Sequence, residues 1–299
     1  MRHRLEYALL WPVLRMLQWL PRPLARGVGE GIALLFYLFH PRLRRVGMKN
    51  LQLAFPEKTS RQRGKILRAF YIHLGRQLAE FCRLPRSTRE NIAQVIVYEG
   101  LENFEEAQAR GKGVLFLTAH LGGWELSSFM HSLHGHAMNI VARPLDNPFV
   151  DRLVTRIRTL HGNKIFDKDD YARGLLGALR NGETVGILMD TNMTPPQGIF
   201  ADFFGVPACT ASGLARVAAH TGAAVLPGFA LWDRELGKYR LMMGKPLQLI
   251  RTNDPEADVA ANTAMFNRVL EETIRQYPEQ WMWVHRRWKT RPAGEAPIY

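Results

Sequence analysis

From residue 94 onward the apolar positions fall into two alternating rhythms. Short apolar runs of strand length cover residues 94–98, 113–119, 138–142, 164–166, 185–189, 224–230 and 239–244. Between them, apolar residues three and four apart predict helices over 101–110, 124–134, 147–161, 169–181, 210–221 and 258–277. Strands alternating with helices of this length predict a layered α/β domain with a largely parallel sheet. The first 90 residues read differently. Leu67, Phe70, Leu74, Leu78 and Phe81 share one face of a helix over 60–83, and two further apolar helices are expected over 5–20 and 24–39. Neither an internal repeat nor a low-complexity linker interrupts the chain. The expected organisation is a helical region over 1–90 followed by an α/β domain over 91–299.

Charge sharpens that division. Of 299 residues, the first 90 hold 18 Lys/Arg against 5 Asp/Glu, whereas residues 91–299 hold 22 of each. The whole excess of +13 therefore lies in the helical region, which points to an anionic partner. The apolar run over 31–39 is too short to span a bilayer, and Arg15, Pro21 and Arg26 interrupt the longer stretch. Two amphipathic helices lying in a membrane interface fit this pattern, with a single tilted span as the alternative. Arg42, Arg44, Arg45 and Lys49 follow directly, as expected of a segment held on the cytoplasmic side. The competing reading is a helical hairpin packed on the main domain. No small-residue cleavage site follows the apolar part, so it does not read as a removed signal peptide. Cys82 and Cys209 lie far apart, which argues against a disulfide framework or a cysteine-based zinc site.

The densest chemistry lies at Val114-Leu115-Phe116-Leu117-Thr118-Ala119-His120-Leu121-Gly122-Gly123-Trp124-Glu125. A buried strand delivers a histidine at its carboxyl end, where α/β proteins present ligand-binding groups. Five residues along one helix would leave His120 and Glu125 about 140° apart, so the chain must turn between them, and Gly122-Gly123 permits it. His120 is then expected at a strand end and Glu125 in the first turn of the next helix. As a pair they read as a general base and its orienting carboxylate. Without a nucleophile elbow nearby, the pattern favours direct attack by a substrate hydroxyl over a covalent intermediate. The plainer reading is a turn-capping histidine and a solvated glutamate.

Asp190 ends the strand over 185–189 as His120 ends its own, and Asn192 follows with further hydrogen-bonding capacity. Both belong to a candidate binding edge, or else to an Asp turn leading into Thr194-Pro195-Pro196. Phe200, Phe203 and Phe204 with Gly205 and Pro207 suggest an aromatic loop lining an acyl groove, or plain core. Thr210 and Ser212 are expected to cap the helix that follows. Trp281, Trp283 and Trp288, interleaved with His285, Arg286, Arg287 and Lys289, form an aromatic-basic stretch suited to a bilayer interface or to lipid phosphates, with base stacking as the alternative. His131, His134 and His136 lack a matching Cys or Asp set, so a metal site is not expected.

The segment around His120 resembles the bacterial lipid A late acyltransferase family, and more broadly the glycerolipid acyltransferases with a His-x-x-x-x-Asp/Glu motif. The likeness runs on through Arg44–Leu51 and Ala54-Phe55-Pro56-Glu57, Ala142-Arg143-Pro144 with Asn147-Pro148, Gly186–Asp190, Phe203-Phe204-Gly205, Gly213–Arg216 and Trp281–Lys289. It departs at Thr191, where the family usually has Gln. The resemblance implies a glycerolipid-acyltransferase-like sheet with flanking helices and an N-terminal membrane-binding extension. It implies a membrane-associated O-acyltransferase at the cytoplasmic face of the inner membrane, moving a fatty acyl group from acyl carrier protein or acyl-coenzyme A to a hydroxyl of a lipid A precursor or related lipid. His120 and Glu125 would be catalytic, and Arg143, Asp190, Asn192, Phe203, Phe204 and Arg286 would bind substrate. No metal or other cofactor is implied, and nucleic acid is not an expected partner. A thioesterase-like hydrolase using the same dyad on water, and a non-catalytic basic membrane- or nucleic-acid-binding module, are the alternatives.

Overall fold

A computed structural model describes residues 1–167 and 171–299. Four helices lead: α1 (Arg2–Trp19), α2 (Arg22–Phe39), α3 (Pro41–Ala54) and α4 (Ser60–Arg83). A capping box starts α4, in which Thr59 Oγ1 accepts from Gln62 N and Gln62 Oε1 accepts from Thr59 N. At the other end of α4, the Arg83 guanidinium donates to the carbonyls of Leu17, Gln18 and Leu20, which the end of α1 leaves without helical partners. Gly29 of α2 and Gly75 of α4 let the two backbones touch, for a Cβ on Gly29 would stand 2.3 Å from the Gly75 carbonyl oxygen. The arginine-rich stretch after residue 40 is helical as α3, with Val46, Gly47, Asn50, Leu51 and Ala54 buried on one face. Its Asn50 Nδ2 donates to the carbonyls of Trp283 and His285 at 2.6 and 2.7 Å. Leu51, Phe55, Leu67, Phe70 and Tyr71 from this region join the same buried cluster as Leu115, Val185 and Trp281.

The remainder runs α5 (Arg89–Ile92), β1 (Ile96–Glu99), α6 (Leu101–Ala109), β2 (Val114–Thr118), α7 (Trp124–Leu133), β3 (Met138–Ala142), α8 (Pro148–Arg158), β4 (Lys164–Asp167), α9 (Tyr171–Arg180), β5 (Thr184–Leu188), β6 (Gly198–Phe203), β7 (Val206–Ala211), α10 (Gly213–Thr221), β8 (Ala224–Asp233), β9 (Lys238–Met243) and α11 (Pro255–Gln276). Residues 169–170 of the helix expected over 169–181 lie outside the described residues. Seven strands form one mixed sheet in the order β1-β9-β8-β2-β5-β3-β4. β8, β2, β5, β3 and β4 are mutually parallel, β9 runs antiparallel to β8, and β1 pairs parallel with β9. β2 sits in the middle with Val114–Leu117 fully buried, which explains its unbroken apolar run.

Two expectations are corrected here. The aromatic loop is the antiparallel hairpin β6–β7, turning at Phe204 and Gly205, both at positive φ. Phe203 and Phe204 are 0% and 6% exposed, packed against Trp281, Trp288 and Phe55. They are core, with no face left for an acyl groove, because their rings fill the space between the hairpin and the C-terminal segment. Thr210 belongs to β7, and Ser212 precedes α10 without capping it. Its hydroxyl donates instead to the Gln197 carbonyl at 3.3 Å.

Candidate active site

Parallel pairing of β2 with β5 aligns Thr118 with Leu188. Two residues further on, His120 and Asp190 therefore leave the carboxyl edge of the sheet side by side. Asp190 Oδ1 lies 2.9 Å from His120 Nδ1, and Oδ2 accepts from the His120 backbone N–H at 3.0 Å and from Trp281 Nε1 at 2.8 Å. The carboxylate is 2% exposed, whereas the imidazole keeps a fifth of its side-chain surface. The Asp190 contact uses Nδ1 and leaves Nε2 as the nitrogen available to a substrate.

This geometry corrects the expected pairing of His120 with Glu125. Gly122, at φ 62°, does turn the chain, and Glu125 does fall in the first turn of α7. Its carboxylate, however, is gripped by Arg158 of α8 through two hydrogen bonds of 2.9 and 2.5 Å. Glu125 acts on His120 through space. Burial draws the His120 pKa down, but the charge and hydrogen bond of Asp190, aided by the charge of Glu125, outweigh it and leave it above the ordinary value. Burial raises the Asp190 carboxyl, but the His120 charge and the three donors override this and hold it at about 2. Both shifts describe a carboxylate committed to its histidine.

The segment after α11 clamps this pair. Gly122 N donates to the Gln280 carbonyl, Met282 N to the His120 carbonyl, and Leu121 forms a β-bridge with Trp281. On the Asp190 side, Asn192 N donates to His285 Nε2 at 2.9 Å, and Asn192 exchanges two hydrogen bonds with Thr290. Asn192 thus serves as a tie, its amide spent on Thr290 and on Met193, and is not turned toward a ligand. Arg287, fully buried, donates to the carbonyls of Thr191 and Cys209 and to Thr210 Oγ1. Burial pulls its pKa down to about 10, against the opposing charge of Asp190. Trp281, Trp283 and Trp288 are at most 1% exposed, so they are core residues and not bilayer anchors. The indoles pack inward against the hairpin β6–β7 and Phe55, Arg287 is buried with them, and Lys289 is the basic residue of the stretch that reaches solvent. Arg286 is half-buried over the Tyr299 ring at 5.9 Å.

Arg143 follows β3 at the same sheet edge, largely exposed, with Asp146 3.9 Å away. Sequence reasoning missed three contributors: Trp281 as a donor to Asp190, Arg158 as the holder of Glu125, and Arg287 beneath the 190–192 turn. None carries a local signal, because each contact joins segments more than 30 residues apart. His131 is 1% exposed, with Nδ1 3.2 Å from the Tyr98 hydroxyl, and burial lowers its pKa to about 3. Among the described residues, no group of three or more His, Cys, Asp or Glu side chains is arranged to hold a metal ion.

Residues 2–290 match the sequence profile described as bacterial lipid A biosynthesis acyltransferase. The lipid A biosynthesis lauroyltransferase of Escherichia coli (strain K12) is 31% identical over 297 residues, covering 99% of this chain and 94% of that protein. The palmitoleoyltransferase of the same organism is 30% identical over 281 residues, covering 94% and 90%. Its myristoyltransferase is 25% identical over 258 residues, covering 86% and 78%. With the fold, the His120 edge and these matches all in one register, the chain belongs to the bacterial lipid A biosynthesis acyltransferase family.

Proposed function

We propose that this acyltransferase moves a fatty acyl group from an acyl thioester to a hydroxyl of a lipid A precursor, with His120 as general base. The observation that carries the reading is the His120–Asp190 pair, an imidazole fixed through Nδ1 at the open sheet edge. Nε2 takes the proton of the acceptor hydroxyl as its oxygen attacks the thioester carbonyl. The tetrahedral oxyanion collapses, the carbon–sulfur bond breaks, and the imidazolium returns its proton to the thiolate. Asp190 fixes the tautomer and stabilises the imidazolium, and Glu125, held by Arg158, adds a second negative field. Arg143, exposed at the same sheet edge, is the donor proposed to meet the oxyanion or an anionic substrate group. The basic residues 1–90 suit an anionic donor, whether an acidic acyl carrier protein or coenzyme A.

Membrane association rests on Leu5, Leu9, Trp19, Leu35, Phe36 and Phe39, exposed large apolar side chains on helices rich in arginine. Among the described residues, no helix is long and apolar enough to cross a membrane. Arg42, Arg44, Arg45 and Lys49 favour the cytoplasmic face in this reading.

Mass spectrometry of total lipid from cells expressing the wild type or His120→Ala tests the reading. A lipid heavier by one acyl chain, present with the wild type alone, is the expected result. Identical profiles with both proteins folded would overturn it.

A further inference from the structure

A concave surface that His120 does not line lies between α1, α4 and α8. α1 and α8 touch at their N-terminal ends, where Asn147 Nδ2 donates to the His3 carbonyl at 2.9 Å and Glu6 Oε2 at 3.0 Å, with Tyr7 against Phe149. Beyond that contact the two helices border an open groove of about 570 Å³ whose floor is the last turns of α4. Its walls are hydrocarbon: Leu10 and Leu14 from α1, Phe81 from α4, and Leu153, Val154 and Leu160 from α8. Trp11 and Leu160 are 46% and 43% exposed beside it, so apolar surface is left facing water.

The charged lining is cationic. Arg15 and Arg156 stand at the groove, and neither meets a carboxylate among the described residues. Arg15 instead donates to Gln18 Oε1 at 2.7 Å and stacks on the Trp11 ring at 5.3 Å. Among the described residues, none that lines the groove is acidic. An apolar trough of ligand size with two unneutralised guanidiniums fits a hydrocarbon tail carrying an anionic head.

We propose that the groove between α1, α4 and α8 binds the fatty chain of an anionic membrane amphiphile, with Arg15 and Arg156 holding its headgroup. The site is separate from the catalytic edge: Val154 and Ile157 line the groove, while Arg158 on the same helix turns to Glu125. The inference stands without the acyl-transfer reading, since it uses none of the residues that reading needs.

The probe is monomeric dodecyl phosphate, below its micellar concentration, titrated into the full chain by calorimetry. Saturable binding at one site is expected. The double variant Arg15→Glu with Arg156→Glu, whose side chains are exposed, is expected to weaken it at least tenfold, about 1.4 kcal/mol. Leu153→Arg is expected to abolish it. A dodecyl phosphate brominated near its tail should quench tryptophan emission in the wild type and lose most of that quenching in Trp11→Phe, which locates the chain without a folding-sensitive substitution. His120→Ala should bind normally. The proposal is overturned if inorganic phosphate competes as well as the amphiphile, if the double variant binds unchanged, if quenching survives Trp11→Phe, or if His120→Ala abolishes binding.

Discussion

Asp190→Asn separates the two carboxylates of the site. All three groups that Asp190 serves face it as donors: the His120 and Trp281 N–H groups on Oδ2, and protonated His120 Nδ1 on Oδ1. Two of them, the backbone amide and the indole, cannot reverse. Asparagine therefore keeps its carbonyl oxygen toward those two and turns its NH2 to Nδ1. An NH2 donor there requires Nδ1 to be unprotonated, which moves the ring proton to Nε2, the nitrogen that must accept one. The expected loss of turnover is on the order of 10³ to 10⁴, the scale of a wrong-tautomer base. Stability falls too. A carboxyl held at about 2 against the ordinary 3.8 contributes about 2 kcal/mol at neutral pH. That contribution is complete above the ordinary carboxyl range and vanishes only as pH falls through about 2, so Asn forfeits it under all assay conditions. Initial acyl-transfer rates and thermal melts on purified protein test both figures. Turnover within tenfold of wild type in a folded Asp190→Asn would refute the assignment of Asp190 as the orienting group.

Glu125→Gln removes a charge that raises the His120 pKa and leaves the Arg158 charge to depress it. The acid limb of the pH–rate profile, expected above the ordinary histidine value in the wild type, should move to lower pH, and an unmoved limb would count against the through-space role. Glu125→Ala strands a largely buried guanidinium and should cost about 3 kcal/mol or more in a denaturant melt. Trp281→Phe keeps most of the packing but deletes one donor to Asp190, and about 1–3 kcal/mol of stability should go with it, with a raised Asp190 pKa by carboxyl titration. Gly122→Ala would put a Cβ 2.0 Å from the Ala230 carbonyl oxygen at a positive φ, so little soluble protein is expected on expression.

The central sheet was legible because burial on both faces makes a parallel strand uniformly apolar, as at Val114–Leu117 and Val185. The positions of His120, Glu125 and Asp190 followed from strand ends and glycines, which are local signals. Their partnerships did not. Whether His120 meets Glu125 or Asp190 depends on β5 lying beside β2 and on Arg158 arriving from α8, both long-range facts. The hairpin β6–β7 was read as a loop because its turn, Phe204-Gly205, puts a bulky residue at positive φ where Asn or Gly is the usual signal. The tryptophans of 281–288 misled because their basic neighbours imitate an interface, while the indoles themselves fill the core.

The clamp formed by residues 280–290 bears on the order in which the working site comes into being. Every strand of the sheet precedes that segment in the chain, so on a translating ribosome the sheet residues emerge first. Gly122, His120, Asp190 and Asn192 gain their backbone and indole ties only when Gln280 to Thr290 arrive. A nascent chain can thus collapse around β2 and β5 while its histidine remains unaligned, and competence to react comes late in synthesis.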